Sequence, residues 1–448
     1  MALTGIQIFK LLPKTNCGEC GVPTCLAFAM NLAAGKAELD SCPYVSDEAR
    51  EQLAEASAPP IRPLTVGSGD TAVKIGGETV LFRHEKTFFN APGIAGRIKD
   101  TDEDIAGKVK KWAEFQYERV GLNLRPELVF LECVSGDAAK FEAAAKAVVE
   151  NSDLSLILAC EDPEVMAPVA KAMKDKHPLI YGATNANADK MSAIAGELGL
   201  PLGIKAVDID EVIALSDELT GAGHKDLVID SGARDLAGLF QDQIAIRRSA
   251  LLQQNRTLGF PTICFASALG EDMGEQVVAA AMLVAKYAGI IVLDDLAAEA
   301  VFPLLLERLN IYTDPQRPMT QNEGIYEIGG PNPDSPLLIT TNFSLTYFIV
   351  SGQIESSRVP AWLLIKDTEG LSVMTAWAAG KFSGDDVGMF VKKIGIEEKI
   401  NHKSLVIPGY AAAIAGDVEE ELPGWNIQVG PREAAHLTKF LKEWTPGN

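Results

Sequence analysis

The stretch LVFLECVSGDAAKFEAAAKAVVENSDLSLILAC, residues 128–160, carries the logic of the central fold. Its two ends, Leu128–Cys133 and Leu154–Cys160, are continuous apolar runs rather than alternating ones. A strand that is apolar on both sides must be covered on both faces, which is the condition of a parallel sheet. Between them Ala138–Val149 is an alanine-rich amphipathic stretch that predicts the covering helix. The unit recurs downstream. Leu179–Tyr181, Leu202–Val207, Leu227–Ile229, Thr262–Ala266 and Gly289–Leu293 are further short apolar runs, and Glu164–Met173 is another amphipathic stretch. The Gly76-Gly77 pair predicts a turn joining Ala72–Ile75 to Thr79–Phe82 as an opening hairpin. Seven strand–helix units plus this hairpin predict a (β/α)8 barrel over about residues 61–318. An open doubly wound sheet is the competing arrangement.

Outward from this core, two flanks differ in texture. Residues 325–448 alternate again, with strands expected at Leu337–Thr340, Trp362–Ile365, Ser404–Ile407 and Ile427–Val429, and helices at Ser372–Ala379, Asp385–Lys393 and Pro431–Trp444. This predicts a small open α/β sheet of the Rossmann or flavodoxin kind, whose ligands sit at the carboxyl ends of the strands. Those ends carry turn-rich sequences: Thr341-Asn342-Phe343-Ser344, Pro408-Gly409-Tyr410 and Gly430-Pro431-Arg432. Residues 1–58 hold a cysteine cluster and a short helix opened by Ser46, with Asp47 and Glu48 in its first turn. They end in Ala56-Ser57-Ala58-Pro59-Pro60, a stiff linker.

Composition bounds the function. The chain has 448 residues, 47% hydrophobic and 23% charged, which suits a multi-domain globular protein. Its net charge of −21 argues against nucleic acid and anionic membranes as partners, although plain solubility explains the charge equally well. Val277–Leu293, the longest apolar stretch, is broken by Lys286 and reads as a buried helix running into a strand, not a membrane span. With no secretory pattern at the N-terminus, the expected location is cytoplasmic.

Of seven cysteines, Cys17, Cys20, Cys25 and Cys42 fall in the first 42 residues. Three thiols within nine residues can wrap a compact object, Gly18 and Gly21 supply backbone freedom, and Pro43 follows the last cysteine as in bacterial cluster motifs. Thr24 can cap an apolar helix that starts at Cys25, stops near Gly35 and points its positive end at an anionic group. The spacing favours a [4Fe–4S] cluster over structural zinc, whose second paired knuckle is missing, and over disulfides. Cys133, Cys160 and Cys264 read as small buried hydrophobes. Asp208, Asp230, Asp294, Asp295 and Asn185 stand near barrel-strand ends, where helix capping is the simpler reading and ligand binding the alternative. Arg247-Arg248 reads as helix-surface charge.

The stretch NCGECGVPTCLAFAMNLAAGKAELDSCPYVSDEAR resembles the N-terminal cluster domain of the large (gamma) subunit of the corrinoid iron–sulfur protein of the reductive acetyl-CoA pathway. IYTDPQ (311–316), TTNFSLTY (340–347), GLSVMTAW (370–377) and VGPREA (429–434) resemble later blocks of that family, so the likeness spans nearly the whole chain. The resemblance implies a [4Fe–4S] domain at 1–58, a TIM barrel at 61–318 and a corrinoid-binding domain at 325–448. It implies a heterodimer with a smaller barrel subunit, with the corrinoid between the two. A methyl group would arrive from methyltetrahydrofolate through a separate methyltransferase, be held as methyl-Co(III) after attack by Co(I), and pass to acetyl-CoA synthase/CO dehydrogenase. The cluster, fed by a ferredoxin or reductive activator, would return inactive Co(II) to Co(I). Carried over by residue, Cys17, Cys20, Cys25 and Cys42 match the cluster ligands, and Thr375 matches the threonine facing the lower side of cobalt. Thr341, Thr346, Gly370, Leu371, Ser372, Val373, Gly409, Tyr410, Ala411, Ala412, Gly430, Pro431, Arg432 and Glu433 lie in loops that would touch the corrinoid.

The chain lacks the D-x-H-x-x-G pattern by which many corrinoid domains supply a histidine, and none of His84, His177, His224, His402 and His436 fits it. A base-off cobalt without a protein nitrogen below it is easier to reduce, because axial ligation is a main lever on potential. On this reading the chain is a methylated carrier in its partners' reactions, of the methyltransferase class if classified, and no catalytic residue is assigned. The competing readings are a cluster-only electron-transfer protein and a stand-alone pterin-dependent methyltransferase.

Overall fold

A computed structural model describes residues 5–33, 37, 39–46, 49, 50, 53, 59–119, 122–314 and 317–447. Asp47, Glu48, Gly35, the linker residues 56–58 and the pair Pro315-Gln316 lie outside the described residues. The chain divides into two compact units: 1–115 with 125–312, and 116–124 with 313–448.

In the first unit a short antiparallel pair, β1 (Leu64–Val66) and β2 (Val73–Ile75), precedes eight parallel strands. The eight are β3 (Gly93–Lys99), β6 (Leu128–Glu132), β7 (Ser155–Ala159), β8 (Leu179–Ala183), β9 (Leu202–Lys205), β10 (Leu227–Asp230), β11 (Ile263–Phe265) and β12 (Ile290–Leu293). Each pairs with its successor, β12 returns to β3, and a bridge between Ile229 and Thr262 joins β10 to β11, closing the ring. A helix follows every strand, so the molecule contains a closed (β/α)8 barrel rather than the open sheet. The long apolar stretch is the helix Met273–Ala285 running into β12, as its sequence predicts.

The hairpin differs from expectation. Its arms are β1 and β2, Gly76-Gly77 lies beyond it, and Thr79–Phe82 forms no strand. Leu64, Val66, Val73 and Ile75 join Leu128, Ile157, Leu179 and Ile290 in one core, so the hairpin plugs the amino-terminal end of the barrel. The first barrel strand, β3, carries no clear strand signal in sequence because GIAGRIK mixes glycines with two cations. Gly96 is required there: a Cβ would stand 2.5 Å from the Trp112 ring, which packs onto the strand from the helix Ile105–Glu114. Asp104, Asp137, Asp162, Asp208, Asp235 and Asp272 cap six of the barrel helices, accepting backbone N–H groups of the first turn. Each cap contributes roughly 1 kcal/mol. Arg247 is not surface charge. It is 3% exposed, donates to Glu78 at 2.9 Å and lies under the rings of Phe88 and Tyr287.

The second unit holds five strands: β13 (Gly324–Ile328), β14 (Leu337–Thr341), β15 (Ala361–Lys366), β16 (Ser404–Ile407) and β17 (Asn426–Val429). Their order is β13-β15-β14-β16-β17, with only β13 antiparallel. Numbered as parallel strands this is 2-1-3-4, the flavodoxin-like winding, with β13 added at one edge. Side chains alternate strictly. Leu337, Ile339, Leu364, Leu405 and Ile407 face one core with the helix Gly384–Ile394, while Leu338, Leu363, Ile365 and Val406 face the other with Leu437 and Leu441. A second small antiparallel pair, β4 (Tyr117–Arg119) and β5 (Leu122–Leu124), leaves the barrel sequence between its first helix and β6 and belongs to this unit, with Arg119 over the Phe348 ring at 4.5 Å.

Candidate functional site

The cysteine loop is wound by four left-handed residues, Lys14, Asn16, Gly18 and Gly21, with Gly21 N–H bonding back to the Gly18 carbonyl. Thr24 caps the helix Cys25–Ala33 through the Ala27 amide at 3.1 Å, as expected. Asn16 clamps the first residue of that helix twice: its Oδ1 accepts the Cys25 amide at 2.8 Å and its own amide donates to Cys25 Sγ at 3.4 Å. Amide donation to sulfur is what a metal-bound thiolate takes from its surroundings. Cys25 and Cys42 are buried in one small core with Ile8, Leu12 and Phe28, Cys20 packs against it, and Cys17 is exposed. Among the described residues no three His, Cys, Asp or Glu side chains stand ready around one metal position. The donor set and loop therefore suit an iron–sulfur cluster, while the sulfurs are not drawn to a common point.

In the second unit β14 is the strand where the winding reverses, running to β15 on one side and β16 on the other. β14 and β16 share a single registered pair, Leu338 with Val406. Such a switch point leaves a crevice at the carboxyl ends of the strands. Here it is a cleft of about 320 Å³, within the ~300–1,000 Å³ range of small-molecule sites. Its walls are the aliphatic Leu338, Ile339, Ile349, Val350, Val406 and Ile407, with Thr340, Thr346, Ser372, Tyr410 and Arg432 among the polar groups. Met374, Trp377 and Val429 leave large apolar side chains exposed nearby. Tyr410 donates to Glu433 Oε1 at 2.5 Å, and that bond raises the tyrosine pKa.

The structure brings Thr346, Ser372, Val373, Tyr410, Gly430, Pro431 and Arg432 together on this cleft. Gly409 lies behind it: a Cβ there would stand 2.5 Å from the Gly430 carbonyl, so this glycine permits the two loops to touch. Thr375 is exposed beside the cleft, bonded to Ser372 through their hydroxyls at 3.0 Å. Thr341 is wholly buried, with an unpartnered Oγ1. Gly370, Leu371, Ala411, Ala412 and Glu433 are in the neighbouring loops but outside the lining. Sequence reasoning missed Ile349 and Val350. Their spacing from Thr346, on the helix Ser344–Ser357, was the available signal. No histidine lines the cleft among the described residues. His402 instead bonds the Ser335 carbonyl at 2.9 Å, with its ring tilted against Trp444.

The barrel mouth has a different character. Asp230 is 1% exposed and accepts from Tyr181 at 2.6 Å and from both Arg234 nitrogens. Burial first, and then Asp230, push the Tyr181 pKa well up. Asp294 bonds Gln276, Asp295 accepts the Trp112 indole at 2.7 Å, and Asn185 bonds Glu211. Of the five only Asp208 caps a helix, so the capping expectation fails for the other four, which bond side chains of other residues around the mouth. Cys160 and Cys264 are buried; Cys133 is half-exposed, and burial with the adjacent Cys160 pushes its thiol up to about 12. Such thiols are inert.

A family described as CO dehydrogenase/acetyl-CoA synthase delta subunit matches residues 63–441, and one described as a putative Fe-S cluster matches residues 12–44. The corrinoid/iron-sulfur protein large subunit of Moorella thermoacetica is 44% identical over 444 residues, 99% of each chain. The acetyl-CoA decarbonylase/synthase complex subunit gamma of Methanopyrus kandleri is 38% identical over 98% of each. Among solved structures, dihydropteroate synthase of Thermus thermophilus aligns with 56% of this chain and all of its own at 16% identity, with a TM-score of 0.38. Among the described residues no helix is long and apolar enough to cross a membrane.

Proposed function

This chain belongs to the family of corrinoid/iron–sulfur protein large subunits and acetyl-CoA decarbonylase/synthase gamma subunits, and on that premise we propose that it is a cytoplasmic methyl-group carrier holding one cobalt corrinoid and one [4Fe–4S] cluster. The observation that carries the reading is the apolar switch-point cleft, to whose lining the segments 340–347, 370–377 and 429–434 that the family resemblance singles out all contribute. When bound, the corrinoid would supply a metal centre that takes up and hands on a methyl group, and the cluster would supply single electrons that restore it.

The residues divide this work by chemistry. Cys17, Cys20, Cys25 and Cys42 would hold the cluster, with Asn16 donating to the Cys25 sulfur. Leu338, Ile349, Val350 and Val406 would take the apolar flank of the corrinoid, and Arg432 offers a cation to its phosphate. Ser372 and Thr375 present hydroxyls, which donate far less electron density than an imidazole. The Tyr410–Glu433 bond ties two of the surrounding loops together. In this reading the three parts are 1–58, 61–318 and 325–448. The partners are a smaller barrel subunit, a methyltetrahydrofolate methyltransferase, acetyl-CoA synthase/CO dehydrogenase and a ferredoxin or reductive activator.

The test is anaerobic absorption spectroscopy and metal analysis of the chain co-purified with its small subunit. The expected result is about one cobalt and about four iron per chain, with a reduced-corrinoid band that disappears when methyltetrahydrofolate and the methyltransferase are added. Iron without cobalt, even after cobalamin is supplied, would leave the cluster-only electron-transfer reading instead.

A further inference from the structure

The loop Asp367–Leu371 joins β15 to the helix Val373–Ala378 and delivers Ser372, Val373 and Met374 to the cleft wall. Leu371 packs against the sheet's core, and one buried side chain gathers the polar groups of the rest of the loop. Asn342, 4% exposed and outside the cleft lining, follows β14. Its Oδ1 accepts the amides of Thr368 and Gly370, both at 3.0 Å, and stands 3.1 Å from the Thr368 hydroxyl. That hydroxyl is equally close to the Leu371 carbonyl, so its one proton ties the loop to either acceptor. The Nδ2 group donates to Asp367 Oδ1 at 2.8 Å, which also takes the Glu369 amide at 2.9 Å. Two converging amides fix which end of the Asn342 side chain is oxygen, and the Asp367 carboxylate fixes which is nitrogen.

The loop is pinned from its other side as well. Gly370 has φ +76°, and a Cβ there would meet Pro318 at 2.7 Å and Thr320 at 2.8 Å. Where the loop ends, the Ser372 carbonyl accepts the Ala376 amide at 2.7 Å and its hydroxyl meets Thr375. A shift of the loop therefore moves Ser372 on the cleft wall and, through it, the Thr375 hydroxyl beside the cleft.

Resting on the corrinoid-cleft reading above, we infer that Asn342 is a positioning residue: by gathering Thr368, Gly370 and Asp367 it sets where Ser372 and Thr375 face the bound corrinoid. An aspartate would not serve, because its second oxygen would meet the Asp367 carboxylate without a proton between them.

The experiment compares the full-length chain with Asn342→Ala, Asn342→Asp and a control, Val391→Ala, which opens a cavity in the core at a buried position (1% exposed) outside the cleft lining. Cobalamin affinity is measured by absorbance titration, with and without the small subunit. Amide hydrogen exchange is followed in the corrinoid-free chain. Both Asn342 variants should bind cobalamin roughly tenfold or more weakly and exchange the Thr368 and Gly370 amides faster. The control should lose thermal stability but keep its affinity. Unchanged affinity and exchange in the Asn342 variants, beside a parent that binds, would overturn the inference and leave the carrier reading intact. Equal loss in Val391→Ala would reduce the role to general stability and also overturn it. A parent that binds no cobalamin in either form would remove both.

Discussion

Two regions of this chain occupy equivalent places in their folds and have opposite chemistry. The barrel mouth and the second unit's cleft both lie at the carboxyl ends of parallel strands, the usual location of α/β sites. At the mouth, charges have found partners within the chain. Arg97 grips Glu132 with two nitrogens at 2.8–3.0 Å and stands 3.6 Å from Asp294, and Asp230 holds Tyr181 and Arg234. Beneath them Phe130, Tyr181 and Phe265 fill the bore, their ring centres 5.3–5.6 Å apart. The cleft has aliphatic walls and a rim where Met374, Trp377 and Val429 are exposed. Position in the fold therefore nominates a site, while unmet apolar surface selects it.

The sharpest way to break this comparison is to unpair the mouth. Asp230→Ala strands Arg234 and the Tyr181 hydroxyl around a position that is 1% exposed. The expected loss is about 1–3 kcal/mol of stability, seen as a lower urea midpoint, with cobalamin affinity unchanged. If affinity fell as far as stability, the mouth would belong to the site and the contrast would fail. The cleft should behave in reverse. Thr346→Trp fills it from the helix Ser344–Ser357. We expect roughly a hundredfold weaker cobalamin binding, equivalent to about 2.7 kcal/mol, with the urea midpoint little changed.

The same contrast explains what could be read from sequence. The seven apolar runs after residue 127 are legible because parallel strands buried on both faces carry an unbroken signal. β3 is not, because its Gly96 answers to Trp112, a partner 16 residues away that only the fold reveals. Thr346, Ser372 and Arg432 come from turn-rich segments at strand ends, where ligand loops belong, and motif likeness finds them. Asn342 lies within the family-like stretch 340–347, yet its role depends on Thr368 and Gly370 meeting it from a different strand end. Arg247 fails for the same reason: its partner Glu78 lies 169 positions earlier.

The smallest expected effect concerns the other end of the barrel, where Arg125 holds Asp153 with two nitrogens, one at 2.7 Å. The hydrogen bond from Arg125 lowers the Asp153 pKa below its usual 3.8 and outweighs the burial that raises it. A carboxylate whose folded pKa is depressed gives stability that is complete above its unfolded value and is lost as pH falls through the folded one. The Asp153 side chain is 49% exposed, so solvent screens most of the pair. Its contribution should be below about 1 kcal/mol. Arg125→Gln should therefore lower the urea midpoint slightly at pH 7 and by less at pH 3, because the parent has already surrendered part of the interaction there. A deficit that grew on acidification would mean that Arg125 acts through Asp153's neighbours rather than its charge. An equal deficit at both pH values would assign the effect to the packing of the Arg125 side chain. Either result would make this foot pair unlike the mouth, where Asp230 is buried between Tyr181 and Arg234.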